Sequence, residues 1–323
     1  MTASALGSIP MRPEVDRDLI RLLHPFASGR TAFAMFLRAL QLRSEDVVLL
    51  PSYIGVSHRE GSGVFDPIRE TGVGHAFYRM DATLSVDLND LARQLDRVRP
   101  KVVVLIHFFG WPDPSCPDVV RLAHDHGALV MEDSAHAMLS DVIGAGVGRL
   151  GDASIWSLHK LLPMPSGGML VLNAPTHHLV NALPAEPSAP LADPWRFDLA
   201  EMAARRREKA VHLLQSVRSI SDEIEPLRQS LPPGVVPQTF PVLVRRASRD
   251  RLYETLNAAG FGVVSLYHTL IDEIASDDFP ESHALSHRIL NLPLHESASV
   301  PGLDHLVRTL GEHAAGQGTR GAG

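Results

Sequence analysis

Lys160 stands between two apolar runs in the segment SIWSLHKLLPMPSGGML, residues 154–170. A lysine in such a place must pair its ammonium or lose its proton, because an isolated buried charge is costly. The chain has 30 Lys and Arg residues, of which only Lys101, Lys160 and Lys209 are lysines. An amine, unlike a guanidinium, can deprotonate and form an imine, so Lys160 is a candidate for covalent chemistry.

Asp133 is a second candidate, because it follows an apolar run in ALVMEDSAHA, residues 128–137. A carboxylate at the end of a buried strand needs a positive partner. The alternative is that Asp133, assisted by Ser134, caps the next helix. The residues alone leave both interpretations open.

Residues 26–32, FASGRTA, lead into an apolar stretch of helical period. Gly, Ser and Thr at the start of a helix direct backbone N–H groups toward an anion, and the helix dipole adds attraction. This arrangement suits a phosphate group. It also suits an ordinary N-cap.

Ser157 precedes Lys160 by three residues, so its hydroxyl could bind the phosphate of a cofactor that the lysine holds. Ser-x-x-Lys also occurs in serine acylases, where the serine opens a helix. Here Ser157 closes a strand-like run, which disfavours the acylase interpretation.

These pieces together fit pyridoxal phosphate (PLP). This cofactor needs an amine, a carboxylate for its pyridine nitrogen, an anion cradle and an aromatic side chain against its ring. The candidates for these roles are Lys160, Asp133, Gly29 with Thr31, and Tyr53.

The elements that must position these residues follow an α/β pattern, with apolar runs alternating with amphipathic stretches. This predicts a large domain with a mostly parallel sheet over residues 1–175, then a linker helix and a small C-terminal α/β domain over residues 176–323. The predicted strands of the large domain are 47–50, 75–78, 102–106, 128–131, 153–157 and 169–172, and its predicted helices include 31–42, 88–94 and 118–126. In the small domain the pattern predicts helices over 201–228 and 249–259 and strands over 240–244 and 262–266. The Gly-rich tail from residue 311 is predicted to be disordered.

Ligands of parallel sheets bind beyond the carboxyl ends of the strands. Polar or aromatic side chains follow four of the predicted strands, at residues 51–53, 107–110, 132–136 and 157–160. We therefore expect these segments to meet at one edge of the sheet.

Composition narrows the class of protein. The chain has 323 residues, with 45% hydrophobic and 21% charged residues and a net charge of −7, which argues against a basic nucleic-acid surface. No apolar run approaches the roughly 18 residues of a membrane span, and the N-terminus lacks the pattern of a signal peptide. The single cysteine, Cys116, fits a reducing compartment, and we expect it to lack the neighbouring ligands that a metal site needs. We expect a cytoplasmic protein that binds no metal, nucleic acid or membrane.

The sequence resembles the DegT-like sugar aminotransferases, which are fold-type I PLP enzymes. The resemblance covers most of residues 25–310. It is carried by the segments ASGRTAFAMFLRAL, VLLPSYI, KVVVLIHFFGWP, HGALVMEDSAHA, SLHKLLPMPSGGMLVLN, FPVLV, GFGVVSLYHTL and SHRILNLPLHE.

The resemblance implies a role for each matched residue. Lys160 takes the place of the Schiff-base lysine, with the pair Gly167-Gly168 at the family's spacing after it. Asp133 matches the carboxylate on the pyridine nitrogen, and Ala135 packs on the ring. The remaining matches are His136 beside the cofactor, Gly29, Arg30 and Thr31 in the phosphate turn, Ser157 as a further phosphate contact, Tyr53 stacked on the ring, and His107 in a structural role.

Three departures from the family pattern bear on the substrate. Residues 174–204 are short and lack the family's Gly-x-Asn-x-Arg signature, whose Asn reaches the cofactor phosphate of the neighbouring subunit. The nearest polar-aromatic cluster there is residues 193–196. Two residues that usually separate the His from the Lys are missing before Lys160, and residues 57–66 resemble an insertion.

The implied activity is transfer of an amino group from glutamate or glutamine to a keto sugar or related cyclic ketone, in a homodimer with small-molecule substrates. Arg30 and Arg196 are candidates for the donor's carboxylate. Two alternatives remain open: a PLP enzyme of another reaction type, such as elimination, oxidation or decarboxylation, and a non-catalytic homologue.

Overall fold

The computed structural model describes residues 21–58, 60–144, 146–184 and 193–318. The expectation about a signal peptide concerns residues outside these ranges, as does the tail beyond residue 318. None of the helices that the structure describes is long and apolar enough to cross a membrane.

A seven-stranded sheet forms the larger part of the fold. Its order is β1, β7, β6, β5, β4, β2, β3, and the pairs from β3 to β6 are parallel, while β7 is antiparallel to both neighbours. The strands are Leu22–Phe26 (β1), Val47–Pro51 (β2), Gly74–Tyr78 (β3), Val102–Ile106 (β4), Leu129–Asp133 (β5), Ala153–Ser157 (β6) and Gly168–Leu172 (β7).

The mostly parallel sheet confirms the predicted fold class, and each predicted strand of the large domain lies within two residues of the observed bounds. Strands β4, β6 and β7 are buried at every residue, as expected of central strands covered on both faces. The edge strand β1 was not predicted from the sequence.

Helices connect the strands of the large sheet. They are Gly29–Ala39 (α1), Phe65–Thr71 (α2), Leu88–Val98 (α3), Cys116–Asp125 (α4) and Met138–Ile143 (α5). The predictions for α1, α3 and α4 are confirmed with shifted ends, whereas α2 and α5 were missed. The segment at 57–66 that resembled an insertion leads directly into α2.

The C-terminal part contains a three-stranded antiparallel sheet in the order β10, β9, β8. Its strands are Ile224–Pro226 (β8), Thr239–Val244 (β9) and Ile289–Pro293 (β10), and its helices are Leu199–Ser216 (α6), Arg249–Ala258 (α7), Pro280–Ser286 (α8) and Val300–Gly318 (α9). We propose that the boundary between the two domains lies near residue 175, just after β7.

Three sequence predictions for the C-terminal part are wrong. The helix over 201–228 ends at Ser216, because Ile224 and the residues after it pair with β9 instead. Residues 262–266 form only an isolated bridge, from Val264 to Asn291, because positive φ angles at Gly262 and Tyr267 interrupt an extended strand. Residues 311–318 are helical, since α9 buries its leucines and Ala314 against the domain.

Glu132, on β5, ties the turn at residues 148–151 to the sheet. Its buried carboxylate accepts hydrogen bonds from the backbone N–H groups of Gly148 at 2.7 Å, Leu150 at 2.9 Å and Gly151 at 2.6 Å, and from His107 Nε2 at 2.7 Å. Burial favours a raised pKa for Glu132, but the hydrogen bonds from His107 and the backbone outweigh it and hold the pKa below its usual value. The structural role expected for His107 agrees with this network.

Cys116 lies beside this network, with its sulfur, a ring nitrogen of His107 and a carboxylate oxygen of Glu132 all within 4.8 Å of one another. The expectation that Cys116 lacks such neighbours is therefore wrong. The oxygens of Glu132 already accept four hydrogen bonds, and burial raises the pKa of the Cys116 thiol. The cluster has the features of a structural hydrogen-bond network.

Replacing Glu132 by Gln substitutes an NH₂ group for an oxygen that accepts hydrogen bonds. We expect Glu132→Gln to lower the free energy of unfolding by about 3 kcal/mol at neutral pH. Because the folded pKa is below the unfolded one, this contribution is present above the unfolded pKa and is lost as the pH falls through the folded pKa. Urea titrations should therefore show a difference between wild type and variant that narrows on acidification, and a constant difference would contradict the assignment.

Candidate active site

The predicted strand ends meet at the carboxyl edge of the large sheet. Asp133 is the last residue of β5, and Ser157 is the last residue of the neighbouring β6. A 3₁₀ turn at Leu158–Lys160 follows β6 and places the Lys160 Nζ atom 2.9 Å from His136 Nε2. The topology thus gathers the amine, the imidazole and the carboxylate in one place.

Asp133 is 6% exposed, and its Oδ1 accepts a hydrogen bond from the backbone N–H of Ala135 at 2.9 Å. Burial raises its pKa, while the charge of Lys160 and the Ala135 hydrogen bond oppose that rise. The helix-capping alternative is wrong, since α5 begins at Met138 after a residue, Ala137, that makes no side-chain cap. Among the described ion pairs, none within 4.0 Å joins Asp133 to Lys160.

Lys160 is half-buried, and its surroundings act on its charge in both directions. Burial lowers its pKa, and the carboxylates of Asp133 and Glu60 oppose this by raising it. Burial and the nearby lysine charge lower the pKa of His136 well below its usual value. His136 is therefore a neutral imidazole at physiological pH.

The predicted phosphate turn lies against the end of β6. Ser28 caps α1, accepting a hydrogen bond from the Thr31 backbone N–H at 3.1 Å and sharing one with its hydroxyl at 2.9 Å. A Cβ atom at Gly29 would lie 3.2 Å from the Trp156 carbonyl oxygen and 3.4 Å from the Ser157 Cβ. Gly29 therefore lies directly against the end of β6, next to Ser157.

The pair Gly167-Gly168 holds this turn in place. A Cβ atom at Gly168 would overlap backbone atoms of Ser28 and Gly29, so only glycine allows β7 to approach the turn this closely. Gly167 has a φ of +133°, which favours glycine as well. The spacing of this pair after Lys160 thus has a steric cause.

Arg30 points into the segment that resembled an insertion. Its guanidinium pairs with Asp66 at 3.2 Å and donates a hydrogen bond to the Glu60 carbonyl oxygen. Residues 57 and 61 form an antiparallel bridge in this segment. Arg30 therefore anchors the segment to the phosphate turn. Arg30 was a candidate for binding the donor's carboxylate, but its guanidinium is already paired with Asp66 and the Glu60 carbonyl.

Arg196, the other candidate for the donor carboxylate, lies with its guanidinium 4.8 Å from the Phe197 ring centroid. None of the described contacts joins it to Lys160 or Asp133. Its neighbour Trp195 packs edge-on against Trp156 at 6.4 Å.

Tyr53 is fully buried in an aromatic wall that includes a residue the sequence analysis missed. Its ring centroid lies 5.6 Å from that of Tyr267, in the C-terminal part, and 5.6 Å from that of Phe108. Tyr267 also lies 6.1 Å from the His136 ring. Burial, followed by the charge of Asp133, raises the Tyr267 pKa. Tyr267 therefore faces the same space as the predicted cofactor residues.

Close backbone packing against Gly55 fixes the position of Tyr267. A Cβ atom at Gly55 would lie 2.8–2.9 Å from Tyr267 atoms, and the Tyr267 φ is +59°. The Val56 N–H donates to the Thr269 carbonyl, and the Ile271 N–H donates to the Ile54 carbonyl, each at 3.0 Å. Nothing local in the sequence marks this pairing, because it joins segments more than 200 residues apart.

Gln238 is a second residue that sequence reasoning missed. Its backbone N–H donates to the Phe109 carbonyl at 2.7 Å, and its Nε2 donates to the Lys160 carbonyl at 3.3 Å. It thus ties the segment before β9 to the turn that carries the lysine.

Proteins of known family and structure resemble this chain in sequence and in fold. Residues 25–180 match the sequence profile of the DegT/DnrJ/EryC1/StrS aminotransferase family. Nearly half of the chain thus carries the sequence pattern of this family. A dTDP-4-dehydro-2,3,6-trideoxy-D-glucose 4-aminotransferase of Saccharopolyspora spinosa is 24% identical to it, over 88% of this chain and 81% of the relative.

Two solved structures share the fold across nearly the whole chain. The aminotransferase TlmJ from Streptoalloteichus hindustanus has a TM-score of 0.71 at 21% identity, covering 91% of this chain and 86% of the other. The ntda protein from Bacillus subtilis, with bound cofactor PMP, has a TM-score of 0.70 at 16% identity, covering 90% and 73%. The chain is thus a PLP-dependent aminotransferase of fold type I, as the resemblance implied.

The residues present fit PLP. The Ser28–Thr31 turn packs so closely on the end of β6 that a Cβ atom at Gly29 would lie 3.4 Å from the Ser157 Cβ, which places the start of α1 beside the Ser157 hydroxyl. Asp133 and Lys160 interact electrostatically without a direct ion pair, and Tyr53 has a buried hydroxyl with no hydrogen-bond partner among the described residues. This combination of an anion cradle, a buried carboxylate and an amine matches the two ends of the cofactor.

Gly168→Ala tests the close contact at the phosphate turn. The added methyl group must push β7 away from Ser28 and Gly29, so we expect a loss of about 2–3 kcal/mol in unfolding free energy and weaker PLP retention. Gly63→Ala is the matched control, because a Cβ atom there meets no atom within 4 Å. Urea unfolding and equilibrium dialysis with PLP measure the two effects, and equal behaviour of the two variants would contradict the contact.

Proposed function

We propose that this aminotransferase moves an amino group from glutamate or glutamine to a keto sugar or related cyclic ketone. The observation that carries the proposal is the half-buried amine of Lys160, placed beside neutral His136 and facing Asp133 at the carboxyl edge of the sheet. The name of the Saccharopolyspora spinosa relative, a 4-aminotransferase of a dehydro sugar, supports the acceptor class.

Each predicted residue has a task toward PLP in this proposal. Lys160 would hold the cofactor, Asp133 would keep its ring nitrogen protonated, and Ala135, His136 and Tyr53 would border the ring. The turn of Gly29, Arg30 and Thr31, with Ser157, would bind the phosphate through backbone N–H groups and hydroxyls. When bound, PLP supplies an electron sink that acidifies the proton on the amino-bearing carbon of the substrate.

The amine of Lys160 then acts as acid and base. Its Nζ atom would take the proton from the donor's amino-bearing carbon and pass it to the cofactor within the same half-reaction, and would make both transfers in reverse when the ketone is aminated. The lowered pKa of Lys160 favours this use, because a larger fraction of the amine is unprotonated near neutral pH. The aromatic wall of Tyr53, Phe108 and Tyr267 limits the access of water to the site.

We further propose a cytoplasmic homodimer. The single cysteine supports a reducing compartment. Leu23, Ile143 and Leu150 are each at least 40% exposed, and Arg21 joins their segments by hydrogen bonds to Asp141 and the Gly148 carbonyl. Exposed apolar side chains on linked segments suit a subunit interface, and light scattering of the purified protein tests this proposal.

Lys160→Arg replaces the amine with a side chain that stays charged and cannot deprotonate. We expect the rate of amino transfer to fall by at least about 10³-fold in this variant. The assay offers glutamate or glutamine as donor and a panel of nucleotide-linked keto sugars as acceptors, and mass spectrometry detects the aminated products. Lys101→Arg is the control, because the same change at an exposed lysine leaves the site intact. Near wild-type transfer by Lys160→Arg would overturn the lysine's role, and a wild-type protein that aminates no ketone in the panel would overturn the acceptor class.

A further inference from the structure

His136 receives a hydrogen bond that fixes where its own hydrogen lies. The backbone N–H of Phe109 donates to His136 Nδ1 at 3.3 Å, and the Phe109 ring stacks on the imidazole at 15° with centroids 6.2 Å apart. An Nδ1 atom that accepts a hydrogen bond carries a lone pair. The single hydrogen of the neutral imidazole therefore lies on Nε2.

The Nε2 atom of His136 faces the amine of Lys160 at 2.9 Å. An Nε2–H group can only donate, so its partner must offer a lone pair. An ammonium group has three hydrogens and no lone pair, whereas a neutral amine has one. We propose that the Phe109 amide and His136 together hold Lys160 as an uncharged amine in the free protein, making His136 a positioning residue for the lysine.

The charged groups around Lys160 come from several elements. Asp133 at the end of β5 and Glu60 in the segment before α2 favour the ammonium form. Burial and Arg30, at the start of α1, favour the neutral amine, and the net result is a lowered lysine pKa. His159, on the lysine's own turn, also has a lowered pKa, first through burial and then through the lysine. The hydrogen bond from His136 adds to the groups that favour the uncharged form.

The use of this arrangement rests on the proposed function. A neutral amine is the form of lysine that reacts with an aldehyde, so the free protein would be ready for its cofactor without first losing a proton. The protonation state itself is a property of the free protein. It can be measured whether or not the enzyme aminates a sugar.

Nitrogen-15 NMR of the histidine side chains tests the proposal in the free wild-type protein at neutral pH. We expect His136 to show an unprotonated Nδ1 and a protonated Nε2, identified by the signal that His136→Gln removes. In wild-type protein labelled with carbon-13 at the lysine side chains, the ε-carbon of Lys160 should have the chemical shift of a neutral amine. Only three lysines contribute signals, and Lys160→Met removes the one of interest.

Lys160→Met also shows which group sets the tautomer. If the Phe109 amide sets it, His136 keeps its hydrogen on Nε2 after the lysine is gone. A shift of the hydrogen to Nδ1 in Lys160→Met, or an ammonium-type shift for Lys160 in the wild type, would overturn the proposal. Failure of amino transfer alone would leave these NMR results unchanged, so the two hypotheses can be judged separately.

Discussion

The amine of Lys160 lies at the edge of a dry interior, with a buried carboxylate and a neutral imidazole as its neighbours. Removing an amine and a carboxylate from water is unfavourable, so the surrounding backbone must hold both groups in place. Adjacent parallel strands supply that control, because β5 and β6 deliver Asp133 and Lys160 to the same edge. Three backbone hydrogen bonds to Glu132 hold the turn that leads into β6.

Close backbone contacts define the space around these groups. Gly168 lets β7 approach the phosphate turn, and Gly55 lets the Tyr267 segment lie against the segment that carries Tyr53. A side chain at either glycine would overlap the segment packed against it. The two glycines therefore help to determine the shape of the site, together with the polar groups that line it.

The sequence predicted the strands and the residues at their ends because both signals are local. An apolar run such as VVVLI at 102–106 forms a buried strand, and polar residues after such runs collect at the carboxyl edge. Tyr267 and Gln238 could not be found this way, because they reach Lys160 and Tyr53 from the C-terminal part of the chain. The pairing of Arg30 with Asp66 and the Glu60 carbonyl was hidden for the same reason.

We propose that Lys160 is the amine that holds PLP. Incubating the protein with PLP, reducing it with borohydride and mapping the modified peptide by mass spectrometry tests this directly, because the chain has only three lysines. We expect one cofactor per chain, attached at Lys160. Attachment at Lys101 or Lys209, or no attachment to any lysine, would contradict it.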